Sequence, residues 1–452
     1  MEKSYLVMHF QYRTMKIKQL TILLILVLIS PLFLNSSLTV KATESQTSPS
    51  LYVGIDVAFE SVVATEQLID KVSNYTNIFV IGCSGFYNET RLTVISQYVY
   101  DKGMSFIVYT DSHRYPSQQW LGSANTKWGN SFLGIYYFDE QGGKQLDQNP
   151  PTVRAASNYS DAANQYVNIT NLWLRGAHSI TKSFAYPTQY QLFTSDYAFY
   201  WYDYEAGYDT VFAEFTMNYS QQLNVALCRG AATVLNKDWG VMITWKYTQP
   251  PYMESGTDLF NDMKLAYQNG AKYIIVFDSN EDYSQNVLNQ TQLDAMSQFW
   301  QYVKDTPRTF TPVNERTAYV LPADYAYGFR GPYDRIWGLW PNDSITTNIS
   351  MNVYTLLQTE DLNLDIVYPN EPRTVESVGY SNISYWNDTL LSGSATPSQD
   401  PATSAPKSLS LLEVYFLALA SCIVAFVAVA ATFTKVRNKR SNRLNLTEFT
   451  IK

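Results

Sequence analysis

Eight short apolar segments, separated by stretches of helical spacing, recur through residues 51–305. They are Leu51–Val57, Asn77–Gly82, Met104–Tyr109, Phe132–Phe138, Tyr197–Trp201, Thr210–Phe215, Gly240–Trp245 and Lys272–Phe277. Most are rich in β-branched and aromatic residues, which suit a buried pleated surface. Between them Thr65–Val72, Gln221–Leu235 and Asp258–Tyr267 carry the spacing of helices that bury one face, and Thr291–Asp305 closes the series. A helix between two strands returns the chain to its starting end, so the strands run parallel. Eight such units over roughly 250 residues predict an α/β fold of the (β/α)8 TIM-barrel type, spanning residues 50–308. A doubly wound open sheet is the alternative, but no Gly-rich phosphate loop follows any strand. An insertion of roughly residues 141–195 extends the unit after the fourth strand.

Residues 309–390 change character and predict a small α/β or β-rich appendage. Thr317–Leu321, Ile336–Leu339 and Leu364–Val367 read as strands, with a helical stretch near Ser350–Gln358. Residues 391–408 are rich in Ser, Thr and Pro and cannot form a core, which suits an extended stalk.

Both ends of the chain point to a membrane. Arg13, Lys16 and Lys18 precede the apolar run Leu20–Leu34, and small residues follow at Val40-Lys41-Ala42. That order is the pattern of a secretory leader over residues 1–42, with an uncleaved anchor as the alternative. Leu411–Phe433, within segment 409–434, is long enough to cross about 30 Å of hydrocarbon. Lys435, Arg437, Lys439, Arg440 and Arg443 follow at once, placing the tail 435–452 on the cytoplasmic side. The expectation is a single-pass cell-membrane protein whose C-terminal helix meets the lipid bilayer and whose bulk is extracellular. Ten N-glycosylation sequons agree with export: Asn74, Asn88, Asn158, Asn168, Asn218, Asn289, Asn342, Asn348, Asn382 and Asn387. Only Cys83 and Cys228 fall between the two apolar segments, so this is no disulfide scaffold; one bridge and two buried thiols are both open. With a net charge of −8 and 3 His, the chain lacks a basic nucleic-acid footprint and is poor in His for a metal site. No cofactor is expected. The 36 Tyr and few charges would suit an acidic exterior.

Barrels of this type gather their chemistry at the C-terminal ends of the strands. Those ends present Asp56, Asp139, Glu140, Asp203, Glu214 and Asp278, accompanied by Trp201, Trp245 and Tyr247. Rings beside carboxylates suit sugars, which stack a C–H face on an aromatic while acids bind hydroxyls. Glycoside hydrolysis needs two carboxyl groups flanking one bond. Strand alternation favours Glu140 over Asp139, because Leu133 and Ile135 suit the outer face and Gly134 and Tyr136 the interior. Glu214 lies in the otherwise apolar strand VFAEF, where a charge is costly unless paired or functional. A structural ion pair with Lys246 or Arg229 is its bland alternative. For Asp56, Asp203 and Asp278, substrate binding and structural hydrogen bonding are equally open.

Three blocks, Ser195–Phe215, Arg229–Tyr247 and Arg316–Trp340, together resemble archaeal cell-surface proteins whose barrel looks like that of glycoside hydrolases. In many glycosidase barrels an acid lies at the end of strand four, where Glu140 falls. The resemblance places its partner at strand six or seven; Glu214 fits the former, and strand seven here offers Lys246. The resemblance implies a surface glycosidase acting through Glu140 and Glu214 on a carbohydrate. A non-catalytic sugar-binding or envelope protein, with surface-layer neighbours, is the alternative.

Overall fold

The computed structural model describes residues 51–58, 61–82, 88–110, 116–182, 190–331 and 333–388. The expected leader, stalk, C-terminal apolar helix and tail lie outside these residues, as does Cys83. Among the described residues no helix is long and apolar enough to cross a membrane.

Eight parallel strands close into a barrel in sequential order. They are β1 (Tyr52–Val57), β2 (Ile78–Ile81), β3 (Ser105–Thr110), β4 (Phe132–Tyr137), β5 (Gln191–Asp196), β6 (Thr210–Phe215), β7 (Asp238–Ile243) and β8 (Tyr273–Phe277), with β8 pairing back on β1. The helices between them are α1 (Val62–Val72), α2 (Glu89–Asp101), α3 (Gln118–Trp128), α4 (Gln141–Asp147), α5 (Tyr159–Lys182), α6 (Tyr200–Ala206), α7 (Gln221–Leu235) and α8 (Gly256–Gln268). The barrel ends with α9 (Gln290–Asp305), whose Asn289 and Gln292 form a capping box.

Period-two alternation divides the apolar residues. Val53, Ile55, Phe79, Ile135, Val211 and Val241 face the helices. Tyr52, Ile78, Ile107, Phe193, Phe212 and Tyr273 fill the interior, where Tyr52 and Tyr273 stack at 4.9 Å. The register shifts between Phe106 and Ile107, and beside this bulge Leu133 packs on the interior cluster. The outward placement expected for Leu133 therefore fails, while that of Ile135 holds.

The fifth strand is not Tyr197–Trp201 but Gln191–Asp196. Phe199 adopts a left-handed conformation (φ 57°) and the aromatic run continues as α6. Its rings are buried against the appendage, Trp201 on Tyr368 and Tyr202 on Trp337. Aromatic richness here marks burial between layers rather than a pleated strand.

The appendage is a three-stranded parallel sheet in the order β10–β9–β11, from β9 (Thr317–Val320), β10 (Leu364–Val367) and β11 (Asn382–Tyr385). Helix α10 (Ser344–Thr359) precedes β10, and the short α11 (Val375–Val378) precedes β11. Ile336–Leu339 is no strand: Ile336 makes only isolated bridges, and Trp337 and Gly338 take positive φ in a turn. Helix α7 lies against β10 so closely that a Cβ on Gly230 would stand 2.6 Å from the Ile366 carbonyl oxygen. Beside that contact Asp365 accepts from Arg229 and Arg316, each at 2.7 Å, and from Tyr380 at 2.9 Å. This buried cluster ties the appendage to the barrel. Cys228, on the same helix, is a buried free thiol.

Candidate active site

The interior side chains fix which residues rise to the barrel mouth. Counting on in steps of two from Tyr52, Ile78, Ile107, Phe193, Phe212, Met242 and Tyr273 reaches Asp56, Gly82, Tyr109, Ser195, Glu214, Thr244 and Phe277. Together with Tyr136 on β4, these residues line one cavity of about 470 Å³. Asp139, Glu140, Trp245 and Tyr283 complete its rim. Each strand thus supplies its last inward residue or, for β2 and β7, the residue two positions on, so the cavity is a direct product of the alternation.

Glu214 is buried, and its Oε1 accepts from Ser195 Oγ at 2.6 Å. Tyr136 extends that chain, its hydroxyl 2.6 Å from the same Oγ. Neither Lys246 nor Arg229 meets Glu214. Arg229 is committed to Asp365, and the charge of Lys246 acts on Glu254 and Asp262. Among the described residues no ion pair involves Glu214, which removes the bland alternative. Burial first, and the Glu140 charge second, push the Glu214 carboxyl well above its ordinary value; the Ser195 hydrogen bond opposes them.

Glu140 follows β4 in a left-handed conformation (φ 55°), and its N–H donates to the Ser195 carbonyl at 2.8 Å. The strand has ended at Tyr137, so alternation does not choose between Asp139 and Glu140, and both line the cavity. Lys144 Nζ lies 3.1 Å from Asp139 Oδ1 and 3.6 Å from Glu140 Oε2. Burial and the Asp139 charge raise the Glu140 carboxyl, and Lys144 draws it back. Asp196, the last residue of β5, holds this loop. Its carboxylate accepts from the N–H groups of Gly142 (2.5 Å), Gly143 (2.8 Å), Tyr197 (2.8 Å) and Ala198 (3.0 Å).

The other expected residues divide. Asp56 and Trp245 line the cavity; the Trp245 indole N–H is fixed on the Ser279 carbonyl at 2.8 Å. Asp203 is buried beneath α5, accepting from Tyr166 at 2.8 Å. Trp201 bonds Glu205 at 2.9 Å and packs in the core. Asp278 accepts from the Val287 and Leu288 N–H groups at 2.7 and 2.8 Å and pins the loop before α9. Tyr247 is half exposed in a separate open groove beside Pro250 and Pro251. These four lie outside the cavity lining. Ser195, Tyr109, Phe277 and Tyr283 are cavity residues not proposed as site residues from sequence, and correct placement of β5 would have exposed Ser195. Nine of the ten sequon asparagines are solvent-exposed; Asn342 is half-buried. Among the described residues no group of three His, Cys, Asp or Glu is arranged to hold a metal ion.

No family model matches the chain, and no curated protein matches it. Solved structures of similar fold exist. A β-galactosidase from Bacillus circulans sp. alkalophilus shares 7% identity over 75% of this chain and 67% of its own, with a TM-score of 0.48. A pneumococcal exo-β-D-N-acetylglucosaminidase shares 10% over 57% and 85%, with a TM-score of 0.37. An endoglucanase from Pseudomonas stutzeri shares 9% over 55% and 94%, with a TM-score of 0.35. At these identities the likeness extends to the fold alone. The chain is a closed parallel α/β barrel with a carboxylate-lined mouth.

Proposed function

We propose that this chain is a cell-surface glycoside hydrolase in which Glu214 is the general acid and Glu140 the nucleophile or base. The carrying observation is that two carboxyl groups in one aromatic-walled cavity have unlike surroundings. Glu214 is buried, without a cation, and hydrogen-bonded by Ser195. Glu140 is half-buried beside Lys144. The first environment favours a carboxylic acid, which can protonate a leaving oxygen; in the second the Lys144 cation opposes the rise that burial imposes, so Glu140 is the readier of the two to ionise and to attack or activate water. Trp245, Tyr109 and Phe277 offer faces for a sugar ring, and Asp56 an acceptor for its hydroxyls. Membrane anchoring through segment 409–434, with an extracellular barrel and the sequon asparagines glycosylated, belongs to the same proposal and rests on the sequence pattern.

A non-catalytic sugar-binding surface protein on the same barrel is the second reading. It is favoured by the end of β7, which brings Thr244 and Trp245 but no carboxylate to the cavity. Release of reducing sugar from a broad glycan library by the purified full-length chain tests the choice. Binding without release would leave the second reading.

A further inference from the structure

The cavity holds more acid than a two-carboxyl mechanism uses. Asp56, Asp139, Glu140 and Glu214 all line it. Lys144 lies against Asp139 and Glu140, and Ser195 serves Glu214. Asp56 is left over. It is 3% exposed, its Oδ1 has no hydrogen-bond partner, and no cation pairs with it among the described residues. Gly82 stands where a Cβ would come 2.3 Å from that Oδ1, so a larger residue there would crowd the carboxyl. A buried acceptor left unsatisfied is costly, and such groups in native structures have a reason. Asp56 also lines the cavity, where a ligand could bring the missing donor.

We propose that the cavity selects a sugar bearing a free amino group, whose ammonium sits between Asp56 and the aromatic wall. This rests on the sugar-cleft reading given above and names its substrate class. A hydroxyl would satisfy one oxygen of Asp56 but leave four carboxyl groups facing a single lysine. An ammonium donates to that oxygen and, as a cation beside it, favours the ionised form of Asp56, which burial and the Asp139 charge otherwise disfavour. Tyr109, Trp245 and Phe277 line the same cavity, and an aromatic ring attracts a cation placed over its face, most strongly where water is excluded. A sugar carrying a carboxylate or sulfate meets the opposite field and is rejected.

The test uses matched pairs of sugars that differ only at one carbon, amine against hydroxyl: glucosamine, galactosamine and mannosamine oligomers beside the parent hexose oligomers. Binding to the full-length chain is read from quenching of tryptophan fluorescence and from calorimetry. The amino member of at least one pair binds tighter by about tenfold or more, and Asp56→Asn removes that preference. N-acetylation of the amine removes it as well, which needs no variant and so does not depend on Asp56→Asn folding. Neutral sugars that bind as tightly as their amino partners overturn this inference and leave the sugar cleft standing. Absence of binding by any member overturns both.

Discussion

Ser195 Oγ donates to Glu214 Oε1 at 2.6 Å, and that contact is the strongest polar restraint on the buried carboxyl at the barrel mouth. A donor to the charged form lowers a carboxyl's pKa, so Ser195 moderates the rise that burial imposes. Ser195→Ala should therefore raise the Glu214 pKa further. If Glu214 is the acid, the alkaline limb of the kcat/KM profile moves up by about one pH unit, and the melting temperature falls because Glu214 and Tyr136 each lose a buried hydrogen-bond partner. An unmoved limb would mean that another group supplies the proton.

Stability should increase on acidification. Burial raises Asp56, Glu214 and Asp203 well above their ordinary values, Asp196 to about 7, Asp278 to about 6 and Glu254 to about 8. A carboxyl with a raised folded-state pKa binds more protons folded than unfolded across the interval between the two values. Its contribution is fully present below the unfolded value near 4 and is lost as pH rises through the folded value. The lowered carboxyls Asp70, Asp161, Asp282 and Glu376 are on the surface and act weakly in the other direction. Thermal melts from pH 8 down to pH 5 should show a rising midpoint, steepest between about 6 and about 5, where all of these carboxyls are protonated in the folded chain and ionised in the unfolded one. A midpoint that falls over that range would contradict the burial described for these groups.

Two tryptophans separate packing from binding. Trp245 lines the cavity and Trp201 is 4% exposed beneath the appendage. Trp245→Ala should weaken sugar binding by about tenfold with a modest effect on stability. Trp201→Ala should cost about 3–5 kcal/mol of stability while the folded fraction binds normally. Equal binding losses in both variants would place Trp201 at the cleft after all.

The appendage provides a control remote from the cavity. Asp365 is fully buried between Arg229 and Arg316, so Asp365→Asn leaves two buried guanidiniums short of a counter-charge. The expected loss is about 3–5 kcal/mol in denaturant unfolding, with kcat per folded molecule unchanged.

Much of this architecture could be read from the residues, because strand and helix periods differ and the units repeat. Seven of the eight barrel strands fall within two residues of their expected bounds, and α7 matches its expected limits. The failure at β5 has a specific cause. Gln191–Asp196 ends in Thr-Ser-Asp and looks polar, whereas Tyr197–Trp201 is aromatic. The polar ends are inward or loop-holding groups, and the aromatics serve the contact with the appendage. The same misplacement hid Ser195 and Asp196 and brought Asp203 and Trp201 into the expected site. Glu214 was visible because a carboxylate in an apolar strand breaks the local pattern. Asp278 was equally conspicuous, yet its hydrogen bonds to Val287 and Leu288 connect residues nine and ten positions on, which no periodicity announces.

Isosteric amides test most directly whether Glu140 and Glu214 act together on a glycosidic bond. An amide neither donates the proton nor attacks, so Glu140→Gln and Glu214→Gln should each lower sugar release from the glycan library by about a hundredfold or more. Melts recorded beside the assay should show unchanged or higher midpoints, because each change removes a carboxyl that repels its neighbour. Wild-type chain that binds sugars but releases none, with both variants melting lower than wild type, would contradict the account and leave a sugar-binding barrel whose acids serve the structure.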